Sequence, residues 1–161
     1  GLEQVQLWNL TTAFQGAGAP NWGHIIANWS TAAVSNTIGT PTFGTAPVTE
    51  SSGIFSFAAT GYYLIEFTCS VSDNSAADHD IFGTIKCTKN NSAYADVARA
   101  GMSLTAASLY MSSHASCILD ITDLTNQKVL FSASGIETST YCYGHGDYAH
   151  TYAIFTRLGD T

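Results

Sequence analysis

Cys142-Tyr143-Gly144-His145-Gly146-Asp147-Tyr148-Ala149-His150 is the chemically richest stretch of the chain. His145, Asp147 and His150, with Cys142 beside them, are residue types that ligate transition metals. The interleaved glycines would let such a loop converge on an ion. The same stretch suits recognition. Tyr143, His145, Asp147 and Tyr148 can stack on, and hydrogen-bond to, a sugar or a peptide. The plainest reading is a loop with polar tips whose tyrosines (Tyr141, Tyr143 and Tyr148) pack on the domain. That reading ranks first, recognition second and a metal last, so no cofactor is expected.

Asp78-His79-Asp80 sets two carboxylates beside an imidazole at the start of a strand. The pattern is open to calcium or to a pH-sensitive contact, although a solvated loop is simpler. His24 and His114 stand alone and are expected to be structural. Catalysis has little support. No G-x-S-x-G elbow occurs, and the acidic residues sit mostly in turns, with no spacing that implies a working carboxylate pair. The chain is not expected to be an enzyme.

Composition narrows the partners. The 161 residues suit one domain spanning 1–161, long enough to bury a sizeable core. Charged residues are only 11% and hydrophobic ones 45%, so the surface is polar but largely uncharged. Net charge is -7, and Lys86, Lys89, Arg99, Lys128 and Arg157 are scattered singly. Without a basic stripe, neither nucleic acid nor an anionic membrane surface is an expected partner. No apolar run approaches the roughly 20 residues that span a bilayer. Cys69, Cys87, Cys117 and Cys142 include no C-x-x-C pair. The first three fall on apolar strand faces as buried thiols do, while the even count keeps disulfide pairing open. Three Asn-x-Ser/Thr matches, at Asn9, Asn28 and Asn90, are what chance produces in a chain this rich in Asn, Ser and Thr.

The elements that must position these residues read as strands. Ser51 to Val71 is strand, turn, strand: Phe55 and Phe57 share one face, Ala58 to Gly61 turns, and Tyr63, Ile65, Phe67, Cys69 and Val71 line a core face. Further strands are expected near Gln4–Phe14, Trp22–Trp29, Ile81–Cys87, Tyr94–Met102, Ala115–Ile121, Lys128–Ser134 and Thr151–Leu158. Ile136 to Tyr148 reads as a long polar-aromatic loop. About ten short strands with frequent turn signals indicate an antiparallel sandwich or barrel. Residues 1–21 read as an N-terminal strand and loop, continuing from an upstream shaft that is missing here. Tyr62, Leu64, Phe82, Ala153 and Phe155 are expected on faces opposite the core. A monomer should not expose so many apolar side chains together, so a closed oligomer is expected to cover them.

Gly53-x-Phe55-x-Phe57-x-x-x-Gly61-x-Tyr63-x-x-x-Phe67 resembles the central signature of the jelly-roll superfamily of tumour-necrosis-factor ligands and complement globular heads. Ile85-x-x-x-x-Asn90, the run from Cys117-Ile118-Leu119-Asp120-Ile121 to Asn126-Gln127-Lys128-Val129, and the ending Tyr152 to Asp160 resemble later parts of the same pattern. The resemblance covers roughly residues 22 to 161, with Thr60 where the family has Pro and Asn126-Gln127 where it has Gly-Asp. Thr49 to Phe57 and Phe155 to Thr161 look most like C-terminal heads of bacteriophage fibre and virion proteins. The resemblance implies an all-β jelly-roll sandwich and a homotrimer, and the residues expected opposite the core, Tyr62, Leu64, Phe82 and Phe155, are then its expected interface. It also implies a non-catalytic role on a virion surface, binding a host glycan or protein receptor. A structural decoration trimer and a secreted signalling head are the alternatives.

Overall fold

In the computed structural model, residues 2, 4–15, 23–32, 41–73, 77–136 and 139–161 are described. They form β1 (Gln4–Leu10), β2 (Trp29–Ser30), β3 (Thr42–Phe43), β4 (Val48–Ser51), β5 (Ile54–Phe57), β6 (Gly61–Asp73), β7 (Asp78–Thr88), β8 (Tyr94–Leu104), β9 (Tyr110–Ile121), β10 (Lys128–Ser134), β11 (Thr140–Cys142) and β12 (Tyr152–Gly159). Every pairing is antiparallel, and the strands sort into two sheets, an all-β jelly-roll sandwich as expected. The seven-stranded sheet runs β9, β6, β12, β1 and then β2 and β3, with β11 beside the far end of β6; the five-stranded sheet runs β4, β5, β10, β7, β8. No described helix is long and apolar enough to cross a membrane.

Strict alternation makes β6 the spine of the core. Tyr63, Ile65, Phe67, Cys69 and Val71 are all fully buried, and the residues between them face the other way. Facing rings close the space between the sheets. Phe55 meets Phe131 at 5.1 Å and Phe155 at 5.2 Å, and Phe67 stacks on Phe131 at 4.7 Å. Trp29 packs edge-on against Phe55 at 5.5 Å. Such pairs are each worth about 0.5–1.5 kcal/mol beyond the area they bury.

The strand-turn-strand of residues 51–71 is not a hairpin. β5 pairs with β4 and β10 in one sheet, whereas β6 pairs with β9, β11 and β12 in the other. The turn is therefore a corner where the chain changes sheets. Tyr63 fastens it by donating its hydroxyl to Ala59 O at 2.8 Å.

Three other expectations change. The stretch Trp22–Trp29 is no continuous strand. Within its described part, His24 makes a lone bridge to Ser132, and Trp29 opens β2. Asp78-His79-Asp80 is no solvated loop. Asp78 is buried in β7, and the Thr140 hydroxyl lies between its carboxylate and that of Asp73, at 2.8 Å from Asp73 Oδ2. His79 and Asp80 are exposed, and Asp80 takes a positive φ of 58° where the β7–β8 register slips. The phase of β12 is also the reverse of that expected. Ala153 and Phe155 are fully buried and Arg157 points inward, so Tyr152, Ile154 and Thr156 hold the outer face.

Candidate functional site

Loop 143–150 is built onto the end of β6. Ser70 is the anchor: its carbonyl accepts from Tyr143 N at 2.8 Å and from Thr151 Oγ1 at 3.1 Å, and its hydroxyl donates to His150 O at 3.0 Å. From β1, Leu10 O accepts from His145 N at 2.9 Å, and Asn9 Nδ2 donates to His145 O at 2.9 Å. Gly144 permits this approach, since a Cβ there would lie 2.5 Å from Thr12 O and 2.7 Å from Leu10 O. Asn9 is fully buried by these contacts and is no glycan acceptor.

The loop's side chains form a ring cluster. Tyr148 stacks on His145 at 4.2 Å with 5° between planes, and Tyr148 and Tyr143 meet His150 at 4.9 and 4.5 Å. Tyr143 also meets Tyr110 of β9 at 5.0 Å. Asp147 N donates to His145 Nδ1 at 3.0 Å, and Asp147 Oδ2 lies 3.8 Å from the same nitrogen. Burial, then His145, holds His150 below the ordinary histidine pKa. The arrangement offers aromatic rings, the half-exposed His145 imidazole and the exposed Asp147 carboxylate, which suits stacking and hydrogen bonding.

The metal-ligand expectation fares differently. His145, Asp147 and His150 lie in one loop, but the imidazoles are used in ring contacts and in the Asp147 turn. Among the described residues, no group of three His, Cys, Asp or Glu side chains is arranged to hold a metal ion. All four cysteines carry free thiols. Cys142 lies inside the core, where its thiol is hydrogen-bonded with that of Cys69.

The cluster opens onto the outer face of the seven-stranded sheet. Residues opposite each other in antiparallel strands share a face. Ile118, Leu64, Thr156, Val5 and Phe43 therefore form one row across β9, β6, β12, β1 and β3. Ile118 is 62% exposed and Phe43 61%, and Tyr62 stands one step beyond Leu64 at 42%. The next rows pair Glu66 with Ser116 and Thr68 with His114, and the last pairs Ser72 with Tyr110 and with Tyr141.

The four expected interface residues thus separate. Tyr62 and Leu64 lie on this face. Phe82 is on the outer face of the other sheet, where Arg99 covers its ring at 4.5 Å and Gly101 makes room for it. Phe155 is a core residue, because the inward phase of β12 seats it between Phe55 and Phe131.

No protein-family model and no curated protein matches the chain. Solved structures do. Murine APRIL, crystallised at pH 5.0, superposes with a TM-score of 0.64 at 12% identity, over 96% of this chain and 98% of that one. Eiger TNF from S. frugiperda superposes with a TM-score of 0.66 at 12% identity, over 99% of this chain and 94% of that one. The fold is a tumour-necrosis-factor-like jelly roll. At this identity the likeness speaks for architecture alone.

Within this jelly roll, sequence reasoning missed Tyr110, Ile118 and the contact of His114 with Glu66. Its β9 began at Ala115, whereas the strand starts at Tyr110. The signal was present: Tyr110, Ser112, His114, Ser116, Ile118 and Asp120 alternate with Ser113, Ala115, Cys117, Leu119 and Ile121. It is faint because the first inward members, Ser113 and Ala115, are polar or small, while Tyr110 and Ile118 put apolar side chains on the outward face.

Proposed function

We propose that the chain is the head of a homotrimeric attachment protein. Three copies pack through the outer face of the seven-stranded sheet and present their aromatic loops together at one end. The observation that supports this reading is the continuity of that face. Leu64, paired with Ile118 and flanked by Tyr62, lies on the same surface that ends at Tyr110 and Tyr143. A contiguous exposed apolar patch calls for a partner, and a closed symmetric assembly supplies one. Several weak sites on one particle then gain avidity without any strong individual site.

The receptor class we favour is a cell-surface glycan, bound by Tyr143, His145, Asp147 and Tyr148. Tyrosine rings with an imidazole and a carboxylate match the apolar faces and hydroxyls of sugars. The finer reading, a bacteriophage fibre or virion head that attaches to its host, draws on the phrases Thr49 to Phe57 and Phe155 to Thr161. A secreted ligand head of the tumour-necrosis-factor type shares the fold and is the second reading.

Light scattering should give a species near three times 17.0 kDa. A clean monomer at micromolar concentration sinks the assembly. A glycan array probed with the wild-type chain and with Tyr148→Ala tests the receptor. Binding that Tyr148→Ala abolishes supports the loop, and binding that it leaves unchanged moves the site elsewhere.

A further inference from the structure

We propose that assembly through the seven-stranded sheet is proton-linked, with His114 and Glu66 of each copy entering the interface as an ion pair. The inference rests on the threefold reading above and adds its regulation. His114 Nε2 lies 3.8 Å from Glu66 Oε1, and its Nδ1 lies 3.1 Å from Thr68 Oγ1. The two side chains are 51% and 32% exposed, so both are wet in the single copy. Glu66 sits on the central strand, one step from Leu64 along the face and directly beside Ile154. Whatever covers Leu64 also takes Glu66 out of water.

A buried carboxylate is strongly unfavourable unless it is neutralised. None of the five Lys and Arg residues can do this within the copy. Lys86 pairs with Asp96 at 2.7 Å and Arg99 lies over Phe82, both on the other sheet's outer face. Arg157 points inward to Thr60 O, and Lys89 and Lys128 line a cavity with Asp120 at the sheet's edge. Among the described residues, the other titratable groups of the face are Asp120 and Tyr62 at one end, Tyr152 in the His114 row, and Tyr110, Tyr141 and the loop cluster of Tyr143, His145, Asp147, Tyr148 and His150 at the far end. None is a fixed cation. His114 is the group placed to neutralise Glu66.

The sign follows from linkage. An imidazolium on His114 leaves the pair neutral overall, and three neutral pairs can be brought together. A neutral imidazole leaves one bare carboxylate per copy, and three like charges then meet in a drier place. Assembly therefore takes up protons. It is strongest in acid and weakens as pH rises through the range in which imidazoles lose their proton.

The test is a dilution series of the full chain at pH 6.0 and pH 8.0, read by sedimentation, with subunit exchange between labelled trimers where dissociation is too slight to measure. The wild-type association constant should fall tenfold or more between the two values, or exchange should speed up correspondingly. Glu66→Gln removes the carboxylate and leaves any imidazolium at pH 6.0 without its partner, so this variant should assemble no better at pH 6.0 than at pH 8.0. His114→Gln should be weak at both. Thermal melts of the variants establish that they fold. A wild-type trimer equally strong at both pH values, or a Glu66→Gln trimer that still weakens as pH rises, overturns the proton linkage and leaves the threefold reading standing. A monomer under all conditions overturns that reading and this inference with it.

Discussion

The guanidinium of Arg157 donates twice to the carbonyl oxygen of Thr60, from Nε at 3.1 Å and from Nη2 at 2.8 Å. This joins the last strand to the corner where the chain passes between sheets. Arg157 is only 8% exposed, and its Nη2 also contacts Asp160 Oδ1. Arg157→Ala should cost about 2–4 kcal/mol, because it removes a charged donor and strands a carbonyl. Urea denaturation with an unchanged m-value would measure it. A loss under about 0.5 kcal/mol, the range of ordinary surface substitutions, would show that the clamp is decorative.

Gly61 stands at the same corner with φ of +139°, and a Cβ there would lie 2.3 Å from Gly159 O. Gly61→Ala should therefore destabilise by about 3 kcal/mol or more, since both backbone conformation and space oppose it. Gly146→Ala, where a Cβ would meet nothing within 4 Å, is the matched control and should leave the melting temperature nearly unchanged. Equal effects at the two positions would contradict the close approach.

Gln6 faces inward from β1 with 5% exposure, and its Oε1 has no hydrogen-bond partner. Gln6→Met keeps the volume and removes the polar atom. It should stabilise by about 1 kcal/mol, which corresponds to about 2–4 °C in melting temperature for a chain of this size. Calorimetry decides it, and a lowered melting temperature would mean that the amide is satisfied.

Protomer stability should decline in acid. Burial, then the charge of Lys86, lowers the pKa of His24, and burial, then His145, lowers that of His150. The unfolded chain then binds protons more readily than the folded one. Stability is complete above the unfolded value, near 6.5, and is lost as pH falls through the depressed folded values. The urea midpoint should be lower at pH 5.5 than at 7.5, and the difference should shrink in a His24→Asn, His150→Asn double variant. The sign is opposite to that proposed for assembly, so the two effects separate cleanly.

Much of the fold was legible because β6, β7 and β10 place a core residue at every second position, even where Tyr62, Leu64, Phe82 and Leu130 interrupt a clean polar face. β12 was not legible in phase. Tyr152, Ile154 and Leu158 on one face compete with Ala153 and Phe155 on the other, and neither face is clearly the polar one. The deciding fact, that Arg157 is buried to hold Thr60, depends on a carbonyl 97 residues away. The pairing of β5 and β6 into different sheets was equally hidden, since a corner and a hairpin turn look alike in composition. Loop 143–150 stood out by residue type alone. Its partner Tyr110 did not, because the ring contact is set by the register of β9 on β6.

Leu64 and Ser70 are six positions apart on one unbroken strand, a span of roughly 20 Å. The surface proposed for assembly and the residue that anchors the aromatic loop are thus mounted on a single stiff rod. No hinge separates them. In the proposed trimer the distance between neighbouring aromatic tips would be a constant of the particle, set by side-chain volume at Leu64 and Ile118. Such a head measures the spacing of what it binds. Receptors crowded at that interval would be held, and the same receptors spread thinly would be released.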